Sequence, residues 1–194
     1  MTGCDIDSHA QRVAALLDQG SVVVLTGAGL STSCGIPDYR DHDGLWKRSR
    51  PIDHKDFLGS ESTRRRYWAR SFLGWPTVGQ ASPGRGHRVL AQLENRQRIA
   101  LLITQNVDGL HQKAGSRAVL ELHGGLARVL CLACRQTWPR ADVQDWMSAA
   151  NPGVAGAAAS IAPDGDADMA AGLHADFRIP ACPDCVGMLK PDVV

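Results

Sequence analysis

The sequence lacks any long apolar run and any marked excess of charge. No stretch approaches the roughly 20 apolar residues that a membrane-spanning helix needs. The first ten residues, MTGCDIDSHA, contain neither the basic nor the apolar part of a secretory signal. A formal net charge of +1 gives no general electrostatic footprint for nucleic acid or for an anionic membrane. We therefore expect a cytoplasmic protein without nucleic-acid or membrane partners, while the oligomeric state stays open.

Aromatic residues are also few, at 5%, but 44% of the 194 residues are hydrophobic. This composition is ordinary for a globular chain and excludes a disordered tail. The chain is long enough for one good hydrophobic core or two small ones. Because neither charge nor composition indicates a partner, function must be inferred from local motifs.

Four of the six cysteines form two CxxC pairs, Cys131 with Cys134 and Cys182 with Cys185. At this spacing two thiolates from one turn can bind a tetrahedral ion. Two disulfides or four unligated thiols are the alternatives, and the lack of an export signal disfavours the disulfides. Four sulfur ligands leave Zn²⁺ no open position for water, so we expect one structural zinc ion that contributes on the order of 10 kcal/mol to ordering its module. The remaining two, Cys4 and Cys34, are expected to be free thiols.

Three short β-branched or aliphatic runs predict strands of a parallel sheet, buried on both faces. They span residues 21–25, 99–103 and 118–122, and each is followed by glycine or by polar residues. In open α/β sheets ligands bind beyond the carboxyl ends of the strands, so the three following motifs should converge on one crevice.

The segments between these strands have helical or irregular patterns. Helices are predicted over 9–17, 60–75 and 87–94. The second has an aromatic side, for which core packing is expected in preference to a stacking platform. The stretch 148–172, rich in Ala, Gly, Asp and Pro, is expected to be a loosely ordered insertion.

A glycine turn, Gly27-Ala28-Gly29, directly follows the first predicted strand. Such a turn brings backbone N–H groups against a phosphate without interfering side chains. The usual dinucleotide fingerprint has a third glycine where this chain has Thr32, and no strand with an acidic end follows about 20 residues later. The mismatch argues against an ordinary dehydrogenase.

Four motifs in order give the chain a resemblance to the sirtuin family of NAD-dependent protein deacylases. They are GAGLSTSCGIPDYR at 27–40, TQNVDGLH at 104–111, LHG at 122–124 and the paired CxxC. The resemblance covers roughly residues 10–194. The stretch around Arg66-Tyr67-Trp68, the segment 162–166 and the final LKPDVV look most like the class II branch, which includes a mitochondrial sirtuin.

The resemblance implies which residues bind NAD. Gly27, Ala28 and Gly29 would approach its phosphates, and Asp38, Tyr39 and Arg40 would lie on a loop that closes over it. Gln105 and Asn106 would bond the nicotinamide-side ribose, and Asp108 the carboxamide, because amide and carboxylate oxygens accept from hydroxyl and NH₂ donors. The other residues of these motifs implied to contact NAD are Thr32, Ile36, Pro37 and Val107.

His123, in the LHG motif, is implied to be the catalytic general base. In the family the acyl-lysine oxygen attacks the ribose carbon as nicotinamide leaves, and the histidine then removes a proton from a ribose hydroxyl. An imidazole that is neutral yet basic at cellular pH suits this task. From position alone, a histidine at a strand end is more often structural. For His111 the structural interpretation is preferred.

The resemblance also implies a fold. We expect an α/β protein with an incomplete Rossmann-like parallel sheet and a small inserted zinc-binding module. Residues 1–125 and 186–194 would form the NAD-binding domain, 126–185 the zinc module, and 42–86 the helical part of the small domain. Further strands and the adenine cradle would follow Val194, so the 194-residue chain is predicted to be weakly active or inactive.

Three functions agree with these motifs. The first is transfer of acyl groups from protein lysines to ADP-ribose, which releases nicotinamide. The second is mono-ADP-ribosylation of protein at the same site, and the third is a zinc-bearing NAD-binding module without turnover. The implied partners of the first are acylated-lysine proteins or peptides. Acyl-chain preference is not encoded in any pattern that the sequence shows.

Overall fold

The computed structural model describes residues 3–38, 43, 52–154 and 175–194, with the side chains of residues 3–5 left aside. The helices are α1 (Gly3–Asp18), α2 (His54–Gly59), α3 (Glu61–Gln80), α4 (Arg85–Asn95), α5 (Leu110–Lys113) and α6 (Arg140–Ala150). The strands are β1 (Val22–Thr26), β2 (Ile99–Thr104), β3 (Val119–Glu121), β4 (Gly124–Cys131), β5 (Thr137–Pro139) and β6 (Leu189–Val193). Two 3₁₀ turns, Ala28–Leu30 and Thr32–Cys34, follow β1. Within these residues, no helix has the length and apolar character that crossing a membrane requires.

The first sheet is parallel, in the order β1-β2-β3, which confirms the predicted α/β class. The predicted strand positions are correct to within one or two residues. The prediction that both faces are buried is wrong. Helix α4 packs against β2 on one side, whereas Val23, Leu25 and Leu120 on the other are 55%, 61% and 48% exposed. No described element covers them enough to remove this area from water.

The second sheet is antiparallel, in the order β5-β4-β6. Strand β6 joins β4 here and does not extend the parallel sheet. Strand β6 approaches β4 closely at Gly124, where a Cβ atom would overlap the carbonyl oxygen of Asp192 and the backbone φ is 76°. Glycine is therefore required at the point where β4 begins.

The larger hydrophobic core joins α3 to this second sheet. Its centre includes Trp68, Phe72, Val129 and Met147, and the indole N–H of Trp68 donates to the carbonyl oxygen of Leu189 at 3.2 Å. The aromatic side of the predicted helix is thus core packing, as expected. That helix is longer than predicted and begins at Glu61, with Ser60 accepting a capping hydrogen bond from the N–H of Thr63.

A buried arginine fastens α6 to α3. Arg140 lies over the rings of Trp68 and Trp75, at 5.6 and 5.1 Å from their centroids. Its guanidinium donates to the Ser71 carbonyl oxygen at 3.2 Å and to Gln144 Oε1 at 2.7 Å. Stacking together with charge-assisted hydrogen bonds lets this cation sit inside the core.

Candidate functional site

The carboxyl ends of β1, β2 and β3 meet at one edge of the parallel sheet. The N–H of Gln105 donates to the Thr26 carbonyl oxygen at 3.0 Å, and the N–H of Leu122 donates to that of Thr104 at 2.9 Å. These bonds place the loops that start at Gly27, Gln105 and Leu122 side by side. The convergence expected from the sequence is therefore present.

A buried serine links two of these loops. Ser31 Oγ donates to Asp108 Oδ2 at 2.7 Å and accepts from Asn106 Nδ2 at 3.2 Å. Asn106 Nδ2 also donates to the Gly27 carbonyl oxygen at 3.1 Å. The NH₂ group of Asn106 is thus occupied within the protein, and its Oδ1 is the amide atom suited to accept from a ligand hydroxyl.

Ser31 was absent from the residues predicted for the site, although it lies inside the GAGLSTSC motif. A small polar side chain two residues after the glycine turn was the available signal. Thr104 was missed in the same way: its hydroxyl accepts from the N–H of Asn106 at 3.0 Å. Both side chains are buried and bind other residues of the site, so neither was predicted to contact the cofactor.

Asp108 is held from two sides. Its Oδ1 accepts from the N–H of Leu110 at 2.9 Å, while its Oδ2 takes the Ser31 hydroxyl. A narrow cavity of ≈ 10 Å³ adjoins this carboxylate, lined by Ala28, Ser31, Ile36, Pro37, Asn106, Val107 and Asp108. Five of the residues predicted to contact the cofactor, besides Asn106, line this one space.

The other predicted cofactor residues have varied surroundings. Thr32 is exposed, and its hydroxyl donates to the Gly29 carbonyl oxygen at 3.0 Å. Gln105 is exposed, whereas Ile36 and Val107 are buried in a small apolar cluster with Leu110 and Leu126. Asp38 is partly buried, and the predictions for Tyr39 and Arg40 lie outside the described residues.

Protein packing does not require glycine in the turn after β1. A Cβ atom at Gly27 or Gly29 would meet no described atom within 4 Å. Neither residue has a positive φ. A ligand that approaches the backbone closely would provide the missing reason for glycine at both positions.

His123 lies in the two-residue turn between β3 and β4, at the same sheet edge as the glycine turn. Its side chain is exposed, and its carbonyl oxygen accepts from the N–H of Val194 at 3.2 Å. The ring is therefore not enclosed by apolar neighbours, and it is accessible to a reactant.

Two further histidines are buried behind the site. The rings of His87 and His111 lie 4.9 Å apart between centroids, at 62° to each other. Burial lowers the pKa of His87, and burial followed by the proximity of His87 lowers the pKa of His111 to about 4, although Asp108 and Glu94 oppose this. Both imidazoles are thus neutral near pH 7.

The low pKa of His111 predicts a loss of stability in acid. The unfolded chain binds a proton at this residue near pH 6.5, whereas the folded chain binds it only near pH 4. The contribution is complete above pH 6.5 and is lost as pH falls to 4, by about 3 kcal/mol. The free energy of unfolding, measured with denaturant at several values between pH 4 and 6.5, should depend less steeply on pH for His111→Gln than for the unsubstituted chain. Equal pH slopes of the unfolding free energy in the two proteins would contradict the low pKa of His111, since the effects of acid on other groups are common to both.

The four cysteines of the CxxC pairs form a compact cluster. Their sulfur atoms all lie within 4.8 Å of one another, with Cys131 Sγ 3.5 Å from Cys185 Sγ and Cys134 Sγ 3.8 Å from Cys182 Sγ. Tetrahedral zinc with bonds of about 2.3 Å requires sulfur separations of about 3.8 Å. The donor set and its spacing therefore fit a zinc ion.

Two similar turns present these thiols. Cys131 and Cys182 each accept at their carbonyl oxygen from the residue four positions later, at 3.0 and 2.9 Å. Those residues, Arg135 and Val186, both have a positive φ, of 66° and 59°. The N–H of Cys134 donates to the Cys131 sulfur at 3.5 Å, and a hydrogen bond of this kind stabilises the thiolate form that binds metal.

These features define a class: a Rossmann-like α/β protein with a strand-end ligand cleft and a separate four-cysteine metal module. Residues 27–194 match the family model described as "Sir2 family". The chain belongs to the Sir2 family.

Two bacterial relatives illustrate the match. The chain is 54% identical over 171 residues to an NAD-dependent protein deacetylase of Xanthomonas campestris, covering 88% of this chain and 58% of the relative. It is 50% identical over 182 residues to NAD-dependent protein deacetylase 1 of Streptomyces coelicolor, covering 94% and 61%. The chain therefore spans about three fifths of the length of these curated relatives.

Solved structures show the same fold. A Sir2 protein with a p53 peptide and NAD⁺ superimposes with a TM-score of 0.70 at 30% identity, covering 94% of this chain and 62% of that one. Sir2Tm bound to a propionylated peptide gives a TM-score of 0.66 at 29% identity, covering 95% and 62%. Both were described with peptides, and the first also with the dinucleotide.

Proposed function

We propose that this chain carries the catalytic residues of an NAD-dependent protein-lysine deacylase. The observation that carries the proposal is the position of His123, exposed at the sheet edge where the glycine turn and the Ser31–Asn106–Asp108 network meet. The names of the relatives and the ligands of the similar structures support the same activity. The substrates would be proteins or peptides with acylated lysine.

The reaction would proceed in two stages. The acyl carbonyl oxygen bonds to the ribose carbon while the bond from that carbon to nicotinamide breaks. His123 then accepts a proton from a ribose hydroxyl, whose oxygen attacks the tethered acyl carbon. Hydrolytic breakdown frees the lysine amine and leaves an O-acyl-ADP-ribose. A positioned base of this kind contributes typically 10²- to 10⁴-fold in rate.

The cleft residues would hold NAD in separate ways. The turn Gly27-Ala28-Gly29 would approach the phosphates, where N–H groups can donate without hindrance. Asn106 Oδ1 and Gln105 would accept from ribose hydroxyls. Asp108 would accept from the carboxamide NH₂, because each carboxylate oxygen retains capacity beyond the one hydrogen bond it already accepts. By the family resemblance, the further residues that would contact NAD are Thr32, Ile36, Pro37, Asp38, Tyr39, Arg40 and Val107.

Zinc would be structural. Cys131, Cys134, Cys182 and Cys185 supply four ligands, so no coordination position is open to a substrate. Gly187 packs against the cluster, where a Cβ atom would lie 2.7 Å from Ala133 Cβ and 3.0 Å from two of the sulfurs. A zinc ion bound here would link the two CxxC turns and have no contact with a substrate.

Labelled NAD distinguishes this proposal from protein ADP-ribosylation. With ADP-ribose-labelled NAD and an acetylated peptide, we expect label in a small O-acetyl-ADP-ribose product that forms in step with nicotinamide. Label on an unmodified protein would instead indicate the transferase. Heat of NAD binding without nicotinamide release would indicate a binding module.

The same assay should be run with two proteins. One is the 194-residue chain, and the other carries in addition the C-terminal segment of the Xanthomonas campestris relative. We expect turnover mainly in the second, because adenine-side contacts would help to position the ribose. Equal turnover would contradict the sequence prediction that the shorter chain is weakly active. The domain division, the cytoplasmic location and the lack of nucleic-acid or membrane partners stay predictions.

A further inference from the structure

Two buried ring nitrogens have no hydrogen-bond partner among the described residues. They are Nε2 of His87 and Nδ1 of His111, on rings that touch each other. Buried polar atoms are nearly always paired, because leaving one unpaired costs most of its desolvation penalty. Because these two unpaired nitrogens lie on neighbouring rings, one explanation should account for both.

The tautomer of His87 is set by its other nitrogen. Nδ1 accepts from the N–H of Gly84 at 3.2 Å, so it must carry a lone pair. In the neutral ring the proton then resides on Nε2. The unpartnered atom of His87 is a donor.

The tautomer of His111 follows from Thr26. The Thr26 hydroxyl donates to the Ile103 carbonyl oxygen at 3.4 Å and lies 2.9 Å from His111 Nε2. With its one proton on the carbonyl oxygen, the hydroxyl accepts from an Nε2–H of His111, and the NMR measurement described below tests this tautomer. The unpartnered Nδ1 of His111 is then an acceptor, complementary to the donor on His87. The opposite tautomer would set two buried N–H groups against each other.

We propose that His87 and His111 form a neutral hydrogen-bonded pair that positions Asp108 and the end of β1 for cofactor binding. One enclosed water molecule would bridge His87 Nε2–H to His111 Nδ1, since these two atoms do not bond each other directly. This role rests on the proposed function, since it concerns the NAD cleft. Both histidines are positioning residues, because neither is placed against the reactant.

The histidine pair is connected to the cofactor site through α5 and through the end of β1. His111 follows Leu110, whose N–H holds Asp108 Oδ1, so an anchored α5 fixes the carboxylate. His111 also holds Thr26, the residue immediately before the glycine turn. On the other side, His87 fixes Gly84 at the start of α4 and lies 3.9 Å from Cys34 Sγ in the second 3₁₀ turn. One pair thus ties α4, α5 and β1 together beneath the cleft.

Neutrality is essential to this arrangement. A proton added to either ring would remove an acceptor and place a cation beside its neighbour. The lowered pKa values of both rings agree with a pair that stays neutral at pH 7. Asp108 and Glu94 favour protonation but do not outweigh burial.

Two substitutions separate the halves of the pair. His87→Asn retains a group that can accept from Gly84 but lacks the distal N–H. His111→Gln retains a donor toward Thr26 but lacks the ring acceptor. The control is His54→Gln, at an exposed histidine in α2. We expect NAD to bind about tenfold more weakly to each pair variant, with KM for NAD raised and kcat within about threefold. The control should match the unsubstituted protein.

The double variant tests the coupling. Its loss of NAD affinity should be close to that of one single variant, because either change breaks the shared bond. Multiplicative losses would overturn the pairing. A lower unfolding temperature with unchanged NAD affinity would overturn the positioning role and leave only a structural one.

Nitrogen-15 NMR of the histidine rings tests the pair independently of activity. At pH 7 we expect His87 and His111 both to carry their proton on Nε2 and a lone pair on Nδ1. A proton on Nδ1 of either ring, or a charged ring, would overturn the proposal even in an active enzyme. Correct tautomers in the protein extended with the relative's C-terminal segment, if that protein neither binds NAD nor deacylates, would instead refute the proposed function and the positioning role, while preserving the pair.

Discussion

His123→Ala should abolish deacylation while leaving the fold intact. The side chain is exposed and lies in a turn, so its removal creates no cavity in either hydrophobic core. Loss of a positioned general base costs typically 10²- to 10⁴-fold in rate. We expect a fall in kcat of at least 100-fold, measured as O-acetyl-ADP-ribose formation in the protein extended with the relative's C-terminal segment.

Binding and stability measurements make this result specific. The unfolding temperature and the dissociation constant for NAD should stay within experimental error of the unsubstituted values, because His123 would act on the ribose hydroxyl after binding. His54→Ala, at an exposed histidine of α2, is the matched control and should retain full activity. Activity of the His123 variant within tenfold of the control would remove this residue from its proposed role.

Cys131→Ala should cause the largest loss of stability. This cysteine is buried, ends β4 and lies 3.5 Å from Cys185 Sγ. Three remaining sulfurs would bind zinc far more weakly, and structural zinc sites contribute on the order of 10 kcal/mol at neutral pH. We expect less than 0.1 zinc per chain, against about one before substitution, together with unfolding of the second sheet.

Cys34→Ala provides the control for this experiment. Cys34 lies outside the cluster, in the second 3₁₀ turn, so zinc content should stay near one per chain. A chelator added to the unsubstituted protein should reproduce the effect of Cys131→Ala on the unfolding temperature, and added zinc should reverse it. An unchanged metal content in the Cys131 variant would contradict four-sulfur ligation.

The sequence predicted well wherever the signal was local. The β-branched run that ends at Leu25 and the aliphatic run that ends at Ile103 are strands because their side chains suit a pleated, half-buried surface. Spacing within each CxxC motif was enough to place two thiols on one turn. The parallel order then brought Gly27, Asn106 and His123 to one edge, because successive parallel strands end on the same side of a sheet.

The sequence predicted burial wrongly where the burial of a side chain depends on which helix packs on which face of a sheet. Val23 and Leu25 form a run that suits a doubly covered strand, yet helix packing protects only one side of the described sheet. Arg140 gave no sequence signal of burial, since a cation is ordinarily exposed. Its position over Trp68 and Trp75 exists only after α6 has packed on α3.

The sequence by itself determined the family, the metal-binding residue types and the residues placed at the strand ends, because these depend on motifs and periodicity along the chain. Only the tertiary structure decided how those residues are held. The Ser31 to Asp108 hydrogen bond spans 77 positions and the Thr26 to His111 contact spans 85. Hydrogen bonds need atoms within about 3 Å in fixed directions, and such distances between remote residues arise only when the sheet and its helices have packed.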